Sequence, residues 1–188
     1  MKKLVFLEGL PGIGKTTILG YIQKLNSNIK TVPEIINGVQ PAYELQDQQF
    51  YMDNDDRKIN MYNQGNIVID RGPLSTFVYN VVRKLEDPSY RYNINKIYNW
   101  FIKYKQFYQM QNVSVIYLTN NGKKYNLTSF KKTDTFGAVK NQKLAEIFSI
   151  LILRKYVKNY RIIEYDFSKC QEVLNEIVNK FMCPWWYN

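Results

Sequence analysis

A glycine-rich motif near the start of the chain constrains the fold more than any other feature. Residues 9–16 read Gly-Leu-Pro-Gly-Ile-Gly-Lys-Thr and match the pattern G-x-x-x-x-G-K-[ST]. An apolar run at residues 4–7 precedes the motif, and apolar residues recur at helical spacing from Ile18 to Leu25 after it. Because the order strand, glycine loop, helix is the one in which this motif holds phosphate groups, we predict a phosphate-binding loop (P-loop).

Each residue type in this loop has a physical role in phosphate binding. Glycines permit the positive φ angles that turn backbone N–H groups inward, and the following helix N-terminus adds partial positive charge. Lys15 is expected to reach the β- and γ-phosphates of a nucleoside triphosphate, and the Thr16 hydroxyl to ligate Mg2+. The predicted phosphate-binding set is Gly9, Gly12, Ile13, Gly14, Lys15, Thr16 and Thr17.

Length and composition predict a single intracellular domain spanning residues 1–188. The chain is 45% hydrophobic, which suffices for one core, and it is short for two domains with a linker. Its longest nearly apolar stretch, residues 147–153, is too short to cross a bilayer, so we expect no membrane association. The charged start leads directly into the strand and P-loop rather than into a signal peptide, and two cysteines suit a reducing compartment. We therefore expect a soluble, cytoplasmic protein.

The absence of histidine restricts the chemistry. It excludes Ser-His-Asp and Cys-His arrangements and every metal site with histidine ligands. Any catalysis must therefore use carboxylates, Lys, Arg and hydroxyls, and these groups fit phosphoryl transfer around Mg2+. The net charge of +10 favours polyanionic partners, either nucleotides or nucleic acid.

Apolar runs alternate with helical patterns along the chain. Strands are predicted at residues 4–7, 29–36, 67–70, 113–118 and 161–165. Helices are predicted at residues 18–25, 42–64, 75–82, 94–108, 139–159 and 170–181. This alternation predicts an α/β fold, a five-stranded parallel sheet with helices on both faces. The polar, lysine-bearing segment 120–135 has no core pattern and is predicted to form a lid.

Carboxylates follow several of these strands, at the edge where ligands bind parallel sheets. Glu8, Glu34, Asp70 and Asp166 all lie at or just beyond strand ends. Asp70 follows a hydrophobic run and suits a Mg2+ ligand, with the Arg71 guanidinium suited to phosphate oxygens. Glu34 suits a general base, since a hydroxyl acceptor must lose its proton. The alternatives are a surface ion pair for Asp70 and Arg71, and a turn-capping residue for Glu34.

Three motifs together resemble the deoxynucleoside kinase and thymidylate kinase group of P-loop kinases. They are residues 6–16, the sequence Val32-Pro33-Glu34, and the sequence Asp70-Arg71-Gly72. The resemblance implies the P-loop nucleoside triphosphate hydrolase fold and the use of ATP and Mg2+. It also implies phosphorylation of a nucleoside or a nucleoside monophosphate.

The resemblance further assigns roles to individual residues. It makes Glu34 the base toward a 5′-hydroxyl and places Asp70 and Arg71 near the phosphates, so that Lys15, Glu34, Asp70 and Arg71 form the catalytic set. Gln48 or Gln49 would read a base edge as part of the substrate site with Glu34 and Arg71. Asp166 and Phe167 would line the adenine pocket.

The chain departs from this group at several positions. Pro11 stands where thymidylate kinases commonly have an acidic residue, and Gly72 stands where Ser or Tyr usually follows the acidic-Arg pair. The predicted lid has lysines in place of arginines: Lys123, Lys124, Lys131 and Lys132. Lysine cannot reproduce bidentate phosphate contacts, so the acceptor is left open.

Three functions remain as alternatives. The first is an ATP- and Mg2+-dependent nucleoside kinase, because Glu34 gives a reason for an alcohol acceptor. The second is a nucleoside monophosphate kinase. The third is an ATP-dependent nucleic-acid-binding protein, suggested by the charge and by an aromatic-basic segment at residues 91–105. We do not expect it, because helical periodicity already explains many of those aromatics as core residues. The aromatic tail at residues 184–187 is expected to dock on the body or on a second subunit, which leaves a homodimer open.

The P-loop assignment predicts the effect of one substitution. We expect Lys15→Ala to leave the fold intact and to lower phosphotransfer by on the order of a hundredfold or more, because it removes a preorganised cation from the β- and γ-phosphates. Turnover with ATP and Mg2+ checks this, with circular dichroism as the control for folding. Wild-type turnover in Lys15→Ala would contradict the assignment.

Overall fold

A computed structural model describes residues 2–36, 48–90, 92–120 and 139–182. Its strands are β1 Leu4–Gly9, β2 Ile29–Val32, β3 Asn66–Asp70, β4 Val113–Thr119 and β5 Tyr160–Glu164. Its α-helices are α1 Lys15–Leu25, α2 Gln48–Asn60, α3 Pro73–Glu86, α4 Ile94–Lys103, α5 Lys105–Tyr108, α6 Val139–Tyr156 and α7 Cys170–Met182. Short 3-10 turns at Met61–Gln64 and Phe167–Lys169 complete the described elements.

The five strands form one sheet in the order β2-β3-β1-β4-β5, and every neighbouring pair is parallel. β1 is central, with Leu4 opposite Ile67 of β3 on one side and Val113 of β4 on the other. Both β1 and β4 are buried along their whole length, which explains their nearly continuous apolar sequences. The predicted parallel sheet is confirmed.

Alternate residues of β1 belong to two separate cores, one on each face of the sheet. Leu4 and Phe6 pack in the core covered by α3, α4 and α6, and Val5 and Leu7 pack in the core covered by α1 and α7. This alternation follows from the two-residue period of a strand. The prediction of helices on both faces is therefore confirmed as well.

The structure corrects several predicted element boundaries. β2 ends at Val32 rather than continuing to residue 36, because Pro33 has no N–H group to continue the ladder. The helix predicted at 94–108 is two helices separated at Tyr104. α6 ends at Tyr156, whereas the prediction extended this helix to residue 159. β5 spans Tyr160–Glu164, one residue earlier at each end than the predicted 161–165.

Several predicted segments lie outside the described residues. They are the start of the second predicted helix at 42–47, nearly all of the predicted lid at 120–135, and the aromatic tail at 184–187. Within the described part of the chain, no helix has the length and apolarity needed to span a membrane.

Gly9 lies where the P-loop leaves the sheet, and the backbone there tolerates no side chain. Its φ is 139°, and it is opposite Leu118 in the ladder between β1 and β4. A Cβ at this position would lie 2.5 Å from the Leu118 carbonyl oxygen. The neighbour is backbone, so it cannot rotate away as a flexible side chain would.

This close approach predicts opposite effects for two glycine substitutions. We expect Gly9→Ala to lower the free energy of unfolding by about 3 kcal/mol or more, from the positive φ and the clash together. Gly20→Ala is the matched control, because Gly20 is inside α1 and a Cβ there meets nothing within 4 Å. It should raise stability by about 0.5–1 kcal/mol. Urea unfolding measures both, and equal effects of the two substitutions would be inconsistent with this interpretation.

Candidate active site

The P-loop connects β1 to α1 with the backbone geometry that an anion site requires. Gly12 and Gly14 have φ angles of 76° and 98°, in the region that favours glycine. Gly14 is the N-cap of α1 and has no side chain to cap the first N–H groups of the helix. The positive end of α1 is therefore directed at the loop, where a phosphate can use those donors.

Lys15 lies inside the loop that it is predicted to serve. Its side chain is buried, and Nζ donates to the carbonyl oxygens of Gly9 at 3.0 Å and Leu10 at 2.9 Å. Burial, together with the charge of Arg71, lowers the pKa of Lys15 to about 7. A polyphosphate in the loop would favour the charged form of this amine.

Thr16 and Asp70 meet across the gap between α1 and the end of β3. The Thr16 hydroxyl donates to Asp70 Oδ2 at 3.2 Å. Asp70 Oδ1 is buried and has no hydrogen-bond partner among the described residues, and burial raises the pKa of this carboxyl. Mg2+ takes one or two protein ligands and completes its shell with water and phosphate oxygens. A hydroxyl beside a carboxylate with an unused oxygen fits that chemistry.

The part of the chain that the structure describes contains no metal site built entirely from acidic, histidine or cysteine side chains. There, no group of three or more acidic, histidine or cysteine side chains is arranged to hold an ion. Thr16 and Asp70 would therefore hold Mg2+ only together with bound phosphates.

Arg71 and Glu34 form an ion pair next to the P-loop. Arg71 Nη1 lies 2.9 Å from Glu34 Oε1, and the guanidinium lies 5.1 Å from the centre of the Tyr79 ring. Burial would raise the pKa of Glu34, but the charges of Arg71, Lys15 and Lys58 outweigh it and lower the pKa. The Glu34 side chain is 47% exposed and that of Arg71 only 11%, so an ionised carboxylate faces the open side of the site.

The backbone of Arg71 is unusual. Its φ is +56°, and among the described residues it alone combines a side chain with a positive φ. Gly72 follows it, and a Cβ at Gly72 would lie 2.6 Å from the Phe6 ring. The departure at this position, Gly in place of Ser or Tyr, thus has a packing reason in this chain.

Three residues of α2 complete the site, and none of them was predicted from the sequence. Lys58 Nζ lies 2.8 Å from Asp55 Oδ1 and donates to the carbonyl oxygens of Glu34, Asp70 and Arg71. Asn54 donates to the Glu34 carbonyl at 2.8 Å. The available signal was polar residues at positions 48, 55 and 58, at helical spacing with Met52 on the buried side of α2.

Glu8 is a buried carboxylate at the end of β1. The Ser75 hydroxyl donates to its Oε2, and Oε1 has no hydrogen-bond partner among the described residues. Burial raises the pKa of Glu8 to about 7, against the smaller effects of Ser75 and Arg71. The negative charges of Glu34, Asp70 and Glu8 all raise the pKa of Arg71, so three of the four carboxylates predicted at strand ends lie near one guanidinium; a single site that also includes Asp166 stays a prediction.

The two predicted base-reading amides make internal hydrogen bonds. Gln48 Nε2 donates to Asn80 Oδ1 and to the Asn93 carbonyl, both at 3.0 Å, and its Oε1 accepts from the Asn93 amide. Gln49 Nε2 donates to Asp53 Oδ1 at 2.6 Å. Gln48 thus joins α2 to α3 and to the start of α4, and base reading by either amide stays a prediction.

The predicted adenine-contacting residues follow β5, at the same edge of the sheet as the P-loop. Asp166 is exposed, and its Oδ1 accepts hydrogen bonds from the amide and the hydroxyl of Ser168. Phe167 begins a 3-10 turn. Thr17 is exposed in the first turn of α1. Their nucleotide contacts stay predictions.

The raised pKa of Glu8 predicts a stability change with pH. Because the folded pKa of about 7 lies above the ordinary value of 4.5, the folded state retains the proton that the unfolded state loses. This contribution is fully present below pH 4.5 and is lost as the pH rises to 7, by about 3 kcal/mol. Glu8→Gln should remove this slope, and chemical unfolding from pH 4.5 to 7 measures it. The opposite contribution of Lys15 begins only above its pKa of about 7. Parallel curves for wild type and Glu8→Gln would rule the assignment out.

Comparison with known proteins finds solved structures that are similar to this chain. No protein-family profile and no curated protein matches the sequence. Thymidylate kinase from Candida albicans aligns with a TM-score of 0.61 and 15% identity, covering 95% of this chain and 90% of that chain. Deoxyadenosine kinase from M. mycoides, solved with bound dATP, aligns with a TM-score of 0.67 and 15% identity, covering 94% and 99%.

A third solved structure has the same fold. The YorR protein from Bacillus subtilis, in complex with phosphorylated GDP, aligns with a TM-score of 0.54 and 14% identity, and the alignment covers 94% of each chain. At these identities the likeness establishes the fold alone. The chain therefore has the α/β P-loop fold found in nucleoside and nucleotide kinases, as its three motifs predicted.

Proposed function

We propose that this protein is a nucleoside kinase that transfers the γ-phosphoryl group of ATP to the 5′-hydroxyl of a nucleoside. The observation that carries the proposal is the Arg71–Glu34 ion pair beside the P-loop, in which Glu34 is ionised and half exposed. A carboxylate in that position can accept the proton of an alcohol. The kinase fold of the neighbouring structures supports the same class of reaction.

The donor half of the site is the P-loop with Lys15. Backbone N–H groups at the start of α1 and the Lys15 amine would bind the β- and γ-phosphates, and Lys15 would take up a proton as they bind. Thr16 and Asp70 would hold Mg2+, which when bound neutralises charge on the phosphate oxygens.

The acceptor half is Glu34 with Arg71. The hydroxyl of the acceptor would give its proton to Glu34 as its oxygen bonds to the γ-phosphorus, and the bond to the β-phosphate oxygen breaks to release ADP. Arg71 Nε is buried and has no hydrogen-bond partner among the described residues. This unused donor, on the residue that orients Glu34, suits a phosphoryl oxygen that gains charge during transfer.

Charge favours a neutral acceptor over a monophosphate. The cations that lower the pKa of Glu34 are Arg71, Lys15 and Lys58. Lys15 belongs to the P-loop, and Lys58 donates to backbone carbonyls. Only Arg71 of these three then faces the acceptor, and Glu34 already pairs with it, so a doubly charged phosphate would meet an exposed carboxylate.

A nucleoside monophosphate kinase is the second candidate. The thymidylate kinase from Candida albicans has the same fold over nearly the whole chain, which supports this alternative. The predicted lid and its lysines, which would supply further cations, lie outside the described residues.

Nucleic-acid binding loses its main support once the aromatic segment is placed. Tyr92 and Trp100 are each only 4% exposed. Trp100 Nε1 donates to Asp56 Oδ1 at 2.8 Å, and the Tyr104 hydroxyl donates to the same oxygen. These rings contribute to the core and to its polar boundary. Tyr98 of the same segment is 47% exposed, so among its described residues the segment presents a single open ring and not a row of rings on which bases could stack.

Replacement of Glu34 separates the two kinase functions. We expect Glu34→Gln to lower turnover with nucleosides by roughly a hundredfold to ten-thousandfold, because the general base is lost, and to change ATP affinity little. A panel of nucleosides and their monophosphates with labelled ATP measures transfer, and calorimetry measures ATP binding.

Glu172→Gln is the matched control, since Glu172 is exposed in the first turn of α7, and it should behave as wild type. If wild type phosphorylates monophosphates efficiently and Glu34→Gln changes this little, the monophosphate kinase replaces the nucleoside kinase.

A further inference from the structure

Lys58 is a buried cation whose contacts are almost all with the backbone of other elements. Its side chain is 1% exposed, and it pairs with Asp55 one helical turn earlier. Nζ donates to the carbonyl oxygens of Glu34 at 3.1 Å, Asp70 at 3.1 Å and Arg71 at 3.0 Å. An ammonium group has three protons, so these acceptors and the Asp55 carboxylate use all of them.

The three carbonyls belong to residues with proposed roles in the reaction: Glu34 and Arg71 in the acceptor half of the site, and Asp70 as a Mg2+ ligand. Glu34 follows β2, Asp70 is the last residue of β3, and Arg71 comes directly after it. The side chains of Arg71 and Glu34 are also joined directly, by their ion pair. A single atom of α2 thus ties together two loops from adjacent strands.

The Arg71 carbonyl belongs to a residue whose backbone is strained. A φ of +56° costs a residue with a side chain free energy, and it persists only where surrounding contacts enforce it. On the N-terminal side, the Arg71 amide donates to the Leu7 carbonyl at 3.0 Å. On the same side, Lys58 donates to the Asp70 carbonyl, and on the C-terminal side it donates to the carbonyl of Arg71 itself. Lys58 is therefore one of the contacts that enforce this conformation.

Asp55 anchors Lys58 in turn. Its Oδ1 pairs with Lys58, and its Oδ2 accepts from the Thr76 hydroxyl of α3 at 2.7 Å. The carboxylate balances the buried ammonium charge and fixes its position between α2 and α3. Asn54 reinforces the same loop, donating to the Glu34 carbonyl and accepting from the Ile36 amide.

We propose that Lys58 is a positioning residue that holds Glu34, Asp70 and the left-handed backbone of Arg71 in the arrangement needed for phosphoryl transfer. The part of this inference that concerns transfer rests on the function proposed above. Lys58 itself would contact neither phosphate nor acceptor, because its protons are used by three carbonyls and the Asp55 carboxylate. It acts on the reaction through the backbone that carries the reacting groups.

Lys58→Ala tests the proposal with two readouts. In the unliganded protein, amide hydrogen exchange at residues 70–72 should speed up on the order of tenfold or more, with little change along β1. Turnover at saturating substrates should fall by on the order of a hundredfold, because misplacement by about 1 Å has that effect, and ADP affinity should stay within about twofold.

Chemical rescue separates the role of the ammonium group from general loss of packing. The side chain removed in Lys58→Ala corresponds to propylamine, so propylammonium chloride should restore both slow exchange at residues 70–72 and at least tenfold of the lost turnover. Tetramethylammonium chloride has no N–H donor and should restore neither. Arg57→Ala removes the same charge from the exposed neighbour on α2 and should match wild type in both readouts.

Each remaining outcome decides the matter. Unchanged amide exchange in Lys58→Ala would overturn the proposal, and so would faster exchange with wild-type turnover. Equal rescue by propylammonium and tetramethylammonium would overturn it as well. If Lys58→Ala does not fold, the double variant Asp55→Asn with Lys58→Met removes both buried charges and takes its place in both readouts. If the exchange readouts behave as expected but wild type transfers no phosphate to nucleosides, the proposed function fails and the backbone role of Lys58 stands.

Discussion

Parallel pairing of β1 with its two neighbours, β3 and β4, is the constraint on which the rest of the site depends. With Leu7 opposite Asp70, the end of β3 lies beside the start of the P-loop, and Thr16 can reach the Asp70 carboxylate. On the other side, Gly9 lies against the backbone of β4 so closely that only glycine fits. The P-loop and the predicted metal ligand therefore share a rigid base, as a site for phosphoryl transfer requires.

Burial of charge is the second organising feature, and it acts against stability. Glu8, Lys15, Asp55, Lys58 and Asp70 are all less than 10% exposed at one edge of the sheet. Desolvation of such groups costs free energy that their mutual attraction only partly offsets. Retention of such costly groups is typical of functional sites, and Glu8 and Asp70 each keep one buried oxygen without a hydrogen-bond partner among the described residues.

The charges also differ in what they can do. Lys58 is fully engaged by the protein, whereas Lys15 donates to two loop carbonyls that a bound phosphate can replace. Arg71 lies between these cases, since one nitrogen pairs with Glu34 and another has no hydrogen-bond partner among the described residues. In the proposed function, the three cations have different roles: Lys58 fixes the backbone, Lys15 binds the phosphate donor, and Arg71 connects donor and acceptor.

The sequence by itself determined the P-loop, the strand and helix alternation and the carboxylates at strand ends, because these depend on local patterns of glycine, apolar period and chain order. It did not determine the internal hydrogen bonds of Gln48, the Ser75 contact of Glu8, or the backbone contacts of Lys58. Those depend on partners far apart in sequence, and Lys58 binds backbone carbonyls, which every residue has. A sequence pattern carries no sign of such partners, so only the tertiary structure decided them.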